Sequence, residues 1–509
     1  MIGGLRVKLD ARYLRATAVM LALLSAGPAS RLLAGALAYA PPQQLSVSGM
    51  LRDIRTLDLS GDGRGDIVAL HEVRGDVGVK WALSVFEQKK GGTFPGAADR
   101  TIEVDTTIAL ISAGTMAGTG EGILALLAPD GIRLLDALEG SMPGKTRKWI
   151  PIETPVRSPS MEGPIFCDLI RDWDGDGRED MLVFDFTGFS LLSLENGDLP
   201  EERGHIHSPP VLEAQPGNRD PLPHGEGARL ILRYGFPAVT VGEYDGDGKV
   251  DLYITNGGRI QVARREGSSY ARPIRVKEFS RADQRRDGEG PRLEVRLGDF
   301  SGDGLTDIVE AWWEGSGLSG TQAEFRLYRG IRGGGYPRDP DQVLRVTDAV
   351  PRILLLEDLN SDGRSELIVP TMKFGIMAFV RILTTGNIEV EVQVFDTGSR
   401  GLFEEKPRFV HWLSARVDFS GTTRIVSELE DLDDDGNLDL IFGTRKDEIA
   451  VFRGTGGKGN RIFSREPDLL IQEDASGFLR TGDLNGDGKR DIVLYYPTGG
   501  VIKVYLSAG

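Results

Sequence analysis

One cysteine, Cys167, and five histidines are all that this 509-residue chain offers in sulfur and imidazole ligands. A single Cys excludes a disulfide-stapled scaffold and any Cys-rich zinc or iron–sulfur site. Positive charge is also scarce: the net charge of −16 argues against nucleic acid and anionic membrane surfaces as partners. No apolar run reaches the ~20 residues that a bilayer-spanning helix needs. Beyond residue 40 no amphipathic helical stretch of useful length occurs. A GxSxG elbow, an HExxH pair and a phosphate-cradling loop are all missing. Glycine is what the chain has in excess, 67 residues against a usual ~7%. With 40% hydrophobic residues a core is expected, and the length suits either roughly three ordinary domains or one large repeat array.

Residues 1–38 read as an export signal. Arg6, Lys8, Arg12 and Arg15 precede an apolar run from Ala16 to Ala26, too short to cross a membrane and followed by Arg31. Small-x-small sites lie at Ala36-Leu37-Ala38 and Ala38-Tyr39-Ala40, and Pro41 disfavours the second. Cleavage is therefore expected after Ala38, with residues 39–509 forming one exported domain, secreted or held in the cell envelope or at its surface.

A nine-residue acidic stretch recurs through that domain. It reads DLSGDGRGD from Asp58, DWDGDGRED from Asp172, EYDGDGKVD from Glu243 and DFSGDGLTD from Asp299. DLNSDGRSE from Asp358, DLDDDGNLD from Asp431 and DLNGDGKRD from Asp483 complete seven copies. TMAGTGEGI from Thr115 fills the gap between the first two and keeps Gly118 and Gly120. The eight starts are then spaced 57, 57, 71, 56, 59, 73 and 52 residues apart. Such a period marks a repeat architecture.

Each stretch is flanked by β patterning: an alternating run enters it, an apolar run such as DIVAL or DLYIT leaves it, and two more runs follow after Gly-bearing turns. Four short strands in one period describe a β-propeller blade, so the fold is expected to be all-β. Only two strands remain after Asp491, and Gln43 to Gly49 supplies an extra one, which predicts a ring closed by the N-terminal strand. Pro42 to Gly509 is 468 residues, 58.5 for each of eight blades. Eight is the expected count, with seven as the alternative.

In DWDGDGRED the carboxylates of Asp172, Asp174 and Asp176 converge if the loop curls, and two glycines permit the curl. The Arg178 carbonyl and Asp180 can complete a sphere of hard oxygens, which suits Ca²⁺ better than Mg²⁺. An EF-hand needs an acid at the twelfth position, where only Glu310 qualifies among the seven copies, and its flanks are helices.

The DxDxDGxxD loop with its following apolar strand resembles the FG-GAP/VCBS repeats of integrin α-chain propellers and of many secreted bacterial proteins, over residues 42 to 509. The resemblance implies Ca²⁺, up to seven ions, between the first two strands of each blade. Carried over by position, the ligands are Asp58, Ser60, Asp62 and Asp66; Asp172, Asp174, Asp176 and Asp180; Glu243, Asp245, Asp247 and Asp251. The remaining sets are Asp299, Ser301, Asp303 and Asp307; Asp358, Asn360, Asp362 and Glu366; Asp431, Asp433, Asp435 and Asp439; Asp483, Asn485, Asp487 and Asp491. Ser60 and Ser301 depart from the usual Asp or Asn, Glu243 and Glu366 are longer than Asp, and seven blades is the family's usual number. Thr115, Ala117, Thr119 and Ile123 leave the second unit without ligands.

Other candidates carry less chemistry. His205-x-His207, with His224 nearby, reads as a solvated loop in an insertion at 185–229; a second insertion spans 370–430. Arg64-Gly65-Asp66 and Arg74-Gly75-Asp76 match an adhesion tripeptide, but Asp66 is already assigned to metal. Trp312-Trp313 ends a strand before GSGLSG, where core packing competes with sugar or protein contact. Cys167 reads as a small buried hydrophobe in a strand IFCDLI. The expected function is a non-catalytic binding or adhesion module for a protein or carbohydrate ligand. The alternatives are a propeller-type lyase or hydrolase and a structural subunit of a cell-surface assembly.

Overall fold

The computed structural model describes residues 37–508 except 75–78, 116–121, 136–145, 157–162, 195–199, 217–229, 257, 280–291, 315–320, 351–353, 374–383, 385–386, 417–426, 446 and 459–460. Eight antiparallel four-stranded sheets follow one another along the chain, almost without helix, as the blades of a propeller. Blade 1 comprises Leu51–Leu57, Asp66–Arg74, Val79–Phe86 and Arg100–Val104. Blade 5 repeats it as Arg292–Gly298, Asp307–Glu314, Gln322–Tyr328 and Gln342–Thr347. Blade 2 carries a fifth, parallel strand, Ile165–Phe166, on its first strand.

The ring closes as the strand count demands. Phe478–Gly482, Asp491–Tyr496 and Val501–Tyr505 form three strands of blade 8, and Gln43–Ser46 pairs with the last of them, Gln43 opposite Val504. Leu37 is buried against blades 7 and 8, and the amide of Ala508 donates to the Ala38 carbonyl. The segment 1–36 of the expected export signal lies outside the described residues.

The core is divided among the blade interfaces. Strand alternation sends Ile492 and Leu494 toward blade 7 and Val493 and Tyr495 toward blade 1, and all four are buried. Eight apolar clusters result, one for each junction of neighbouring blades, including that between blades 8 and 1. Among the described residues no helix is long and apolar enough to cross a membrane.

Several expectations need correction. IFCDLI is not one strand: Ile165–Phe166 joins blade 2, Ile170–Arg171 opens blade 3, and Cys167 sits between them, only partly buried. Most of the supposed insertions are ordinary outer strands, Gly188–Ser193 and Glu201–His207 of blade 3 and Asn387–Phe395 and Phe409–Arg416 of blade 6. The true addition after blade 3 is a hairpin, Val211–Pro216 with Leu230–Gly235. Trp312 and Trp313, by contrast, bear out the core-packing reading: they are 8% and 4% exposed, and Trp313 packs between blades 5 and 6.

Candidate metal centres

Each acidic loop joins the first and second strands of its blade and folds around two of its own carboxylates. The first acid caps the turn: Asp299 accepts from the amides of Gly302, Asp303 and Gly304 at 2.8, 3.1 and 2.8 Å. Asp483 does the same with Gly486, Asp487 and Gly488. This curl needs left-handed backbone at the fourth and sixth places, where Gly302 and Gly304 have φ of 74° and 83°. Ser361 and Asp434 adopt it at the fourth place without being glycine, with φ of 55° and 58°.

The ninth acid turns inward. Asp66, Asp180, Asp251, Asp307, Glu366, Asp439 and Asp491 are each at most 2% exposed. Each accepts the amide of the loop's second residue, as from Leu59 to Asp66 at 3.1 Å and from Leu432 to Asp439 at 3.0 Å. That second residue is itself core: Leu59, Trp173, Tyr244, Phe300, Leu359, Leu432 or Leu484. Burial pushes these carboxyls up, to about 6 at Asp66, Asp251 and Asp307 and about 7 at Asp180, Glu366 and Asp439. The other loop carboxylates raise them further.

Adjoining loops are tied together. The Gly65 amide donates to the Leu484 carbonyl, Gly122 to Asp58, Thr306 to Glu243 and Ser365 to Phe300. Neighbouring blades thereby share one acidic rim on a single end of the ring.

Within this rim the first, third and ninth acids come together in three loops, Asp172–Asp174–Asp180, Glu243–Asp245–Asp251 and Asp431–Asp433–Asp439, with ligand oxygens within 4.8 Å of one another. A fourth group joins Asp362 and Glu366 to Asp396, a residue that sequence reasoning missed. Asp58–Ser60–Asp62–Asp66, Asp299–Ser301–Asp303–Asp307 and Asp483–Asn485–Asp487–Asp491 form no such group among the described residues. Fifth-position acids turn instead to the seventh residue: Arg178 meets Asp176 at 2.9 Å and Lys249 meets Asp247 at 2.6 Å. Each three-acid group also receives an arginine on its third member: Arg265 on Asp174, Arg264 on Asp245 and Arg453 on Asp433. The donor set fits a hard divalent cation, since one buried oxygen in it, Asp433 Oδ1, has no hydrogen-bond partner. In the second unit Thr115 and Ile123 lie in strands, and 116–121 are outside the described residues.

The remaining candidates resolve simply. His205 Nε2 bonds Asp185 Oδ2 at 3.0 Å and Thr187 Oγ at 3.1 Å, beside a cavity of about 290 Å³ that also touches His207, Tyr270 and Arg272. His205 and His207 join no three-ligand group among the described residues, and His224 is outside them. In the first RGD sequence Arg64 pairs with Asp62 and Asp66 is buried; Gly75 and Asp76 of the second are outside the described residues. Lys277 meets Glu310 at 3.2 Å between blades 4 and 5, where burial pulls the ammonium down; Trp312 donates to the same carboxylate. That pair is enclosed, with Glu310 3% exposed.

The fold and its rim therefore define a β-propeller of repeats joined by acidic hairpin loops. A family model, that of the FG-GAP-like repeat, matches residues 244–310 and 431–494, and the chain carries FG-GAP-like repeats in an eight-bladed ring. No curated protein matches the chain. Among solved structures it is similar to an Agrocybe aegerita lectin solved for its specific recognition of non-reducing terminal N-acetylglucosamine. The two share 14% identity over 92% of this chain and 99% of the lectin, with a TM-score of 0.43. Sqt1 from Chaetomium thermophilum shows 13% identity over 92% and 100%, TM-score 0.42. The V. cholerae biofilm matrix protein Bap1 shows 12% over 92% and 88%, TM-score 0.25.

Proposed function

We propose that the protein is an exported propeller whose rim holds up to seven Ca²⁺ and which works as a non-catalytic binding module for a protein or carbohydrate ligand. The observation that carries the metal reading is the sevenfold burial of the ninth carboxylate among other acids, a charge that no loop side chain neutralises fully. A bound cation would supply that neutralising charge and cross-link the two strands of the hairpin. The first and ninth acids of a loop would hold it together with the third where that is Asp.

The binding reading rests on a contrast between the two ends of the ring. Seven loops on the rim keep the same nine-residue plan. At the other end the described turns between second and third strands differ from blade to blade: Pro129 and Asp130 in blade 2, Asp185 to Thr187 in blade 3, Pro497 to Gly500 in blade 8. Variable loops on a rigid scaffold are where recognition is built. Export is supported by the basic and apolar pattern of residues 1–26.

Glycan-array and pull-down screening with and without Ca²⁺ tests the proposal. A ligand bound only by the Ca²⁺-loaded form, and lost when residues 185–187 or 497–500 are replaced, is the expected result. Turnover of a bound polysaccharide would replace the binding module with an enzyme.

A further inference from the structure

In five blades the second residue beyond the third strand serves the ninth carboxylate with its amide. The amides of Gln88, Arg265, Gly330, Gly454 and Ser507 donate to Asp66, Asp251, Asp307, Asp439 and Asp491 at 2.9, 2.8, 3.0, 2.7 and 2.6 Å. In two of these blades the residue just before that donor reaches the acidic loop. In blades 4 and 7 it is Arg264 and Arg453, which meet the third acids Asp245 and Asp433. In blade 6 the third residue is the neutral Asn360, and the strand Asn387–Phe395 is followed at this place by Asp396.

Asp396 is 4% exposed, and its Oδ1 has no hydrogen-bond partner. Its other oxygen pairs with Arg408. One oxygen of this carboxylate lies within 4.8 Å of ligand oxygens of both Asp362 and Glu366. An orphaned buried carboxylate oxygen is costly, and beside two further acids a bound cation relieves it.

We propose that Asp396 is a metal ligand of the sixth loop, supplying from the third strand the carboxylate that Asn360 does not supply from the hairpin. The ligand it takes is a hard divalent cation such as Ca²⁺, shared with Asp362 and Glu366. Arg408 is a positioning residue that holds the second oxygen and leaves Oδ1 for the ion. The inference rests on the cation reading of the rim and adds to it a ligand from outside the acidic loops.

The test is a crystal structure of the protein loaded with Tb³⁺, a Ca²⁺ substitute whose anomalous scattering reports each loop separately, with Ca²⁺ titration calorimetry alongside. An ion in the sixth loop within about 2.6 Å of an Asp396 oxygen is expected. Asp396→Asn should lose that ion, or bind it at least tenfold more weakly, and leave the other loops filled. Arg408→Gln should keep it, and this variant and the wild-type structure decide the matter if Asp396→Asn does not fold. Ions in other loops with none in the sixth, or a sixth ion that Asp396 does not touch, overturns this inference and spares the general one. Absence of ions from every loop overturns both.

Discussion

The loops of blades 3, 4 and 7 and those of blades 1, 5, 6 and 8 share one backbone course but neutralise their charge differently. The first group has Asp at the third place and an arginine upon it: Arg265, Arg264 or Arg453. The second has Ser60, Ser301, Asn360 or Asn485 there, and no arginine bonds these residues among the described contacts. Pairing at the fifth place cuts across this division: Arg178 meets Asp176 in blade 3 and Arg64 meets Asp62 in blade 1. Both groups nevertheless keep the turn-capping first acid and the buried ninth acid. The lesson is that a loop's affinity for a cation cannot be judged from its acid count alone.

Removing metal is the strongest way to break the equivalence. Each site at ten times its Kd adds about 1.4 kcal/mol, so several filled sites should raise the melting temperature by on the order of 10 °C. Calorimetry in excess chelator, then in millimolar Ca²⁺, should show that fall and its reversal; identical melts would mean that both groups are turns only.

Acid should replace part of what chelation takes away. Six of the ninth carboxyls have folded pKa values raised to about 6 or 7, above their unfolded values near 4, and Asp491 is raised in the same direction. Their contribution to stability is therefore complete below about pH 4 and is lost as pH rises through 6 to 7. Metal-free protein should melt lower at pH 8 than at pH 5, while the Ca²⁺-loaded form, its carboxylates ionised against the cation, changes little. A chelated protein that gains stability between pH 5 and 8 would contradict the burial argument.

Arginine substitution separates the groups directly. Arg265→Ala leaves Asp174, with 5% of its side chain exposed, without its partner and should cost about 3 kcal/mol in the metal-free protein. The cost should shrink when Ca²⁺ is bound. Arg364→Ala, which removes an exposed partner 4.0 Å from Asp362 in blade 6, should cost under about 0.5 kcal/mol. Equal losses in urea titration would dissolve the distinction. The smallest effect is a gain: Asp434→Gly, at an exposed left-handed position, should stabilise by about 1 kcal/mol, and no gain would mean that the aspartate holds the turn by other means.

Much of this was legible in the chain itself. The period placed all seven loops, the missing last strand predicted Gln43 to Gly49 as its replacement, of which Gln43–Ser46 pairs, and alternation around Trp312 and Trp313 favoured packing over display. Arg264, Arg453 and Asp396 were not legible. Each reaches its loop from the end of the third strand, and the turn before that strand varies in length, so no fixed spacing links them to Asp245, Asp433 or Glu366. Cys167 misled for a related reason: a six-residue run, apolar but for Asp168, hides a change of blade, which only tertiary pairing reveals.

Closure of the ring by its first strand has a consequence in time. The hydroxyl of Tyr39 bonds the carbonyl of Arg490, 451 positions away, and Gln43–Ser46 waits for Val501–Tyr505. As the chain is synthesised, seven blades can assemble in order while the leading strand stays unpaired. Its docking is the contact of greatest sequence separation and therefore the slowest to form. Until then blades 1 and 8 each show an open flank, and a second molecule at the same stage offers the same two surfaces. High protein concentration during refolding should thus favour exchanged N-terminal strands, dimers joined at the clasp.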